Sequence, residues 1–313
     1  MTRKILQLLL YTFLLCLPLF CQSGGEPLPE AMVAPAGHPD VNWISLRYAA
    51  NRFGVSLSTT LELDESSRQE MQAPPYAAFR DDPFQIVAGS VMRLDIHAHA
   101  ETALDSYNTE GQAWFAPVSL AVLQRDRLKP GPEGSRKIYR FAGDGAFRIR
   151  LEPNGRDEGG QSSASWTKIK HSFYPYDLHA AGCDLVTSPE LLLYRASSRD
   201  PVNGGIPLCV FVDDALYRVW IDSQGEAPRP VDYIVKTGAV VHEVSGNRIT
   251  RKLSLRVEPI TPGADPAAFE LLELRGAIAI YLDADNRLPV LITGERAGAG
   301  ELDIGLVEAV IRK

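Results

Sequence analysis

Residues 55–63 read Val-Ser-Leu-Ser-Thr-Thr-Leu-Glu-Leu. Val55, Leu57, Thr59, Leu61 and Leu63 fall on one side of an extended chain, and Ser56, Ser58, Thr60 and Glu62 on the other. Strict alternation of this kind marks a strand with one face buried. Ile44, Leu46 and Tyr48 predict a strand just before it, with a turn over residues 51–54. The pattern recurs along the chain. Met92, Leu94, Ile96, Ala98 and Ala100 alternate with Arg93, Asp95, His97, His99 and Glu101. Val118, Leu120 and Val122 repeat it, as do Phe147, Ile149 and Leu151, and later Leu253, Leu255 and Val257.

Turn-forming residues separate these runs. Pro130 to Gly134 is one loop. Gly143-Asp144-Gly145 lies between Tyr139–Ala142 and Ala146–Leu151, and Asp213-Asp214 between Leu208–Val212 and Leu216–Ile221. Ser245-Gly246-Asn247 divides another strand pair, and Asp283 to Asn286 links Ile278–Leu282 to Val290–Thr293. Many short strands joined in this way predict a mainly β protein. Its expected form is a large curved antiparallel sheet, a sandwich or partial barrel, with one packed α-helix. That helix opens at Thr187-Ser188-Pro189-Glu190, where Thr, an early Pro and a Glu three residues on read as a capping box. It continues through Leu191, Leu192 and Tyr194 to about Ser198. A weaker helical pattern covers Asp64–Met71. The polar, Gly- and Ser-rich segment 153–165 is the best internal boundary of a single domain spanning 41–313.

The first 40 residues read differently. Thr2-Arg3-Lys4 is a basic start, and Ile5 to Phe20 is almost wholly apolar, broken only by Gln7 and Thr12. Small residues follow at Cys21, Gln22 and Ser23. This three-part pattern predicts a secretory signal peptide over residues 1–23, with a Gly-, Pro- and Ala-rich leader over 24–40. No second apolar run of spanning length follows, so no transmembrane span is expected after the signal is removed. The expected location is the periplasm or envelope. Cys21 raises lipidation as a lesser alternative, because Phe20 stands where a modified Cys has a small neighbour. Outside the signal the cysteines are Cys183 and Cys209. An oxidising compartment permits a disulfide between them, and two buried thiols are the alternative.

Composition narrows function mainly by exclusion. The 313 residues are 45% hydrophobic and 23% charged, with a net charge of −7. Overall acidity argues against nucleic acid as a partner. No phosphate loop, dinucleotide fingerprint or serine-hydrolase elbow is present, so no cofactor and no catalytic residue is expected. His97, His99 and Glu101 would share one face of a strand and are the best metal ligand types in the chain. A solvent-facing polar strip explains the same three residues. Asp283-x-Asp285-Asn286 reads as a hairpin turn rather than a calcium loop. Asp184 and Ser188 with His171 or His179 make an unsupported hydrolytic trio. Trp114 and Trp166 read as core, and Tyr174 and Tyr176 flank Pro175 in a loop.

Three stretches carry a family resemblance. They are the strand pair Trp43–Leu63, the run Asp184-Leu185-Val186-Thr187-Ser188-Pro189-Glu190-Leu191-Leu192-Leu193-Tyr194-Arg195, and Ala277–Val290 with its acidic turn and Arg287-x-Pro289. Together the chain from Val41 to Ile311 resembles bacterial envelope proteins catalogued as domain of unknown function 3108. Tyr281 stands where such sequences tend to have Trp. The resemblance implies an exported, β-rich protein and implies no activity. The expected function is therefore non-enzymatic: carriage of a lipid or other apolar envelope ligand in a cavity covered by the 187–198 helix. The alternative is a structural protein of the envelope that binds another protein, and a hydrolase or metal enzyme ranks third.

Overall fold

The structure is a computed structural model and describes residues 41–52, 54–67, 69–72, 90–101, 106–198 and 207–312. The expected signal peptide, leader and Cys21 lie outside the described residues.

Among the described residues, fifteen strands form one hydrogen-bonded sheet. The first eight are β1 (Trp43–Arg52), β2 (Val55–Ser66), β3 (Val91–Glu101), β4 (Ser106–Phe115), β5 (Val122–Lys129), β6 (Ser135–Phe141), β7 (Gly145–Glu152) and β8 (Lys168–Pro175). They run as an antiparallel meander in chain order, with β8 at the free edge. The remaining strands are β9 (Val186–Thr187), β10 (Leu208–Val212), β11 (Ala215–Thr237), β12 (Val240–Pro259), β13 (Arg275–Asp283), β14 (Pro289–Arg296) and β15 (Gly300–Ile311). β15 pairs with β1, so it joins the meander to the second half. It also pairs in parallel with the far end of β11, Ile234 opposite Glu308 and Lys236 opposite Val310. The chain of pairings β11-β12-β13-β14-β15-β11 is thereby closed into a ring of five strands. The mainly β reading and the single longer helix hold, and the sheet is mainly antiparallel, with parallel pairings of β9 with β10 and of β11 with β15.

The helices are α1 (Arg156–Gly159), α2 (Leu178–Ala181) and α3 (Leu191–Ser197). α1 and a short 3-10 turn at Ser163–Ser165 structure the polar segment 153–165. α3 has Leu191, Leu192, Leu193, Tyr194, Ala196 and Ser197 all buried. A helix apolar all round belongs in an interior. Tyr194 meets Phe115 of β4 at 5.2 Å and Trp43 of β1 at 6.4 Å between ring centroids, both edge-on. On its other side α3 packs on β13 and β14. It fills the interior instead of covering a cavity.

The main core also takes in Tyr139, Phe141 and Phe211; Tyr139 stacks on Phe141, and Phe211 meets both edge-on. Met71, Val91, Trp114, Leu123, Ile138 and Ile149 form a second, smaller core. Trp114 and Trp166 are buried, as expected, and Tyr174 and Tyr176 pack toward Phe211.

Four expectations need correction. Val118 and Leu120 are not in a strand. They sit in a tight loop in which Leu120 N–H donates to Ala116 O and Ala116 N–H to Ala121 O, and Leu120 takes φ +62°. Ser245-Gly246-Asn247 is not a turn. These residues lie inside β12, paired with β11 across Val231–Gly246 and Pro230–Asn247. Gly246 holds φ +94° there, which only glycine adopts readily, and the pairing register runs through it unbroken. The capping box at Thr187 does not form either. Thr187 belongs to β9, Glu190 precedes the helix with no side-chain cap, and its carboxylate is drawn away to Arg125. At Asp64–Met71 the strand runs on to Ser66 and is followed by a 3-10 turn at Glu70–Gln72.

Candidate functional site: a charged cleft

Alternation places Arg125, Arg127 and Lys129 of β5 on one face. Lys137 of β6 lies directly opposite Arg127. Tyr107 and Thr109 of β4 extend the same wall. Asp213, at the two-residue turn between β10 and β11, closes one side. The segment Glu270–Arg275 and Arg296, at the end of β14, close the other. The cleft is open to solvent and holds about 340 Å³. It is lined by five cations (Arg127, Lys129, Lys137, Arg275, Arg296) and three carboxylates (Asp213, Glu270, Glu273). A narrower inner recess of about 40 Å³ adjoins it and reaches Arg125 and Glu190.

The ion pairs are shared rather than one-to-one. Lys137 Nζ donates to Asp213 Oδ1 at 2.8 Å, while Arg127 stands 3.8 Å from Asp213 and 3.9 Å from Glu270. Arg275 donates to Glu270 at 3.0 Å. Glu273 accepts from Tyr107 Oη at 2.6 Å and from Arg296 at 3.0 Å. Lys129 has no carboxylate within ion-pair distance among the described residues; its Nζ lies 5.9 Å from the centre of the Tyr107 ring. At the inner end Arg125 donates to Glu190, both being buried. The other oxygen, Glu190 Oε2, is buried and accepts no hydrogen bond among the described residues.

Backbone strain holds two of the carboxylates in place. Leu272 and Glu273 have φ +49° and +66° and form the centre of a two-residue turn, with Leu271 and Leu274 exchanging backbone hydrogen bonds. Such turns favour Asn-Gly. Neither residue here is Asn or Gly, and left-handed positions cost such residues about 1–3 kcal/mol each. Asp213 is also left-handed, at φ +51°. Strain of this sort concentrates where a side chain must be aimed.

The charges perturb one another. Burial would push the Glu190 and Asp213 carboxyls up. The opposing cations outweigh it: Arg125 and Arg127 hold Glu190 below the usual carboxylate range, and Lys137 and Arg127 do the same for Asp213. Glu273 moves the other way, raised by burial and by neighbouring Glu270. A carboxylate whose folded value is depressed stabilises the fold above its unfolded value and loses that contribution as pH falls through the folded value. Wild type is therefore expected to lose its stability margin over Asp213→Asn as pH drops below about 4, where unfolded carboxyls protonate. Thermal melts of both proteins from pH 7 to pH 3 check this. Parallel melting curves with a constant gap would refute it.

Other expected sites are not assembled. His97, His99 and Glu101 do share one exposed face of β3. His99 Nδ1 lies 2.8 Å from Asn108 Oδ1. Among the described residues, no group of three or more His, Cys, Asp or Glu side chains could hold a metal ion. Ser188 is buried while His171 and His179 are exposed, so no hydrolytic trio forms. Asp283 accepts from the Asp285 and Asn286 N–H groups, Tyr233 Oη and Arg248, which makes it the anchor of a hairpin turn. Cys183 and Cys209 are joined by a disulfide, with Cα atoms 6.1 Å apart. The cleft escaped sequence reasoning because its walls come from residues 107–137, 213 and 270–296. One signal was visible: Arg125, Arg127 and Lys129 at alternate positions.

No family model matches the chain, and no curated protein or solved structure matches it. Among the described residues, no helix is long and apolar enough to cross a membrane.

Proposed function

We propose that the chain is a non-enzymatic binding protein of the cell envelope whose charged cleft holds a polar, anionic ligand. One observation carries this reading: five cations against three carboxylates around a cavity of about 340 Å³, in a chain whose net charge is −7. Cations gathered against the overall charge focus anions into a cleft. The sequence suggested an apolar ligand. The charge lining the cleft, and a helix that fills the interior where a cover was expected, favour a polar one. Export rests on the N-terminal signal pattern and on the resemblance to envelope proteins. The Cys183–Cys209 disulfide supports an oxidising compartment.

The test is titration calorimetry with inorganic sulfate, inorganic phosphate, citrate and D-galacturonate at low and high salt. At least one of these anions is expected to bind, more weakly as salt rises. A Lys129→Gln/Arg275→Gln variant, changed only at the exposed rim, is expected to bind roughly fivefold more weakly, the loss of about 1 kcal/mol of charge pairing. The reading fails if none of the four binds, or if binding ignores the double substitution.

A further inference from the structure

The cleft is one end of a longer feature. Arg127 of β5 is opposite Lys137 of β6, Lys137 is opposite Arg150 of β7, and Arg150 is opposite Lys170 of β8. Directly opposed residues in antiparallel strands share a face. Four cations on four successive strands thus form a ladder from inside the cleft to the free edge of the sheet. The rungs repeat at the strand spacing, so the row spans about 14 Å.

Like charges directly opposite one another are unfavourable in a sheet, and nothing in strand formation calls for them. Lysines on an edge strand discourage edge-to-edge association, which accounts for Lys170 alone. It does not account for Arg127, Lys137 and Arg150 on inner strands in the same register. Compensation within the protein weakens outward. Asp213 serves both Lys137 and Arg127, Glu152 pairs with Arg150, and Lys170 has no carboxylate within ion-pair distance among the described residues.

We infer that the ladder binds an extended acidic polysaccharide, a chain with one carboxylate or sulfate per sugar, whose end enters the cleft. This deepens the binding reading above and rests on it. A regular row of cations suits a polymer with regularly spaced charge better than a single compact anion. The carboxylates interleaved in the cleft point the same way. Glu270, Glu273 and the unpartnered Oε2 of buried Glu190 can accept hydrogen bonds from sugar hydroxyls. A single-stranded DNA backbone offers those carboxylates no free sugar hydroxyls, so a sugar polymer suits them better than nucleic acid does.

The test is calorimetric titration of the whole protein with galacturonate monomer and size-defined oligogalacturonates. A single-stranded oligonucleotide of matching length and an uncharged glucan are the controls. Affinity is expected to rise with length up to about four sugars, one per rung, and then level off. Arg150→Gln/Lys170→Gln, both outside the cleft, should remove at least fivefold of the gain with length and leave monomer binding unchanged. The inference is overturned, with the cleft reading intact, in three cases: length brings no gain, the gain survives the double substitution, or sulfate or citrate binds while no galacturonate does. Tighter binding of the oligonucleotide overturns it in favour of nucleic acid. If no anion binds at all, both readings fall.

Discussion

Arg125→Met is expected to destabilise the fold by about 3–5 kcal/mol, the usual cost of stripping a buried carboxylate of its partner. Arg125 and Glu190 are both buried. Glu190 would stay in place, fixed by the chain between β9 and α3, with only Arg127 left to offset its charge. Its Oε2 already lacks a hydrogen bond, so no second donor stands ready. Urea denaturation reads the effect as a drop in midpoint with the slope unchanged. The double variant Arg125→Met/Glu190→Leu separates causes. Removing both charges of a buried pair is often neutral or favourable, so most of the lost stability should return. If the double variant is as unstable as the single, packing around Arg125 rather than the orphaned charge is responsible.

Loss of the disulfide should be the next largest effect. Cys183 and Cys209 are 26 residues apart, and a loop of that length corresponds to about 3.5 kcal/mol in the chain-entropy model. The bond also ties the chain just before β9 to the start of β10, where Cys209 pairs with Val186. Two residues of parallel pairing are weak alone. Cys183→Ser/Cys209→Ser is expected to unfold at lower urea by this amount, and dithiothreitol should bring wild type to the same midpoint. A reduced wild type that keeps its full stability would show that the packing of β9 and α3 suffices by itself.

The strands were legible because alternation reports burial directly: Leu57, Leu61 and Leu63 in β2, and Met92 and Leu94 in β3, are all buried. Turn chemistry was legible where the turn was short, as at Asp213-Asp214 and Gly143–Gly145. It misled at Gly246, because a glycine within a long paired strand looks like a glycine in a turn. The start of α3 misled for a related reason. A Glu three residues after a Thr suits a helix cap and suits a buried ion pair equally, and only the position of Arg125, 65 residues earlier in the chain, decides between them. The cleft was hardest to read. Its partners meet through strand order, and strand order is set by pairings such as β1 with β15, which leave no local trace in sequence. The alternating cations of β5 were readable as a strip, but not the acids that face them.

The double pairing of β15 has a consequence for biosynthesis. β15 is the last strand described, yet the five-strand ring and its junction with the meander both depend on it. Glu308 makes this concrete, bonding Arg47 of β1 at 3.4 Å and Lys236 of β11 at 2.8 Å. While residues 300–311 are still inside a ribosome, the edge of β1 is open and the ring cannot close. Pairing over such sequence distances is also slow. The ring and its junction with the meander thus stay unformed until the final described strand emerges.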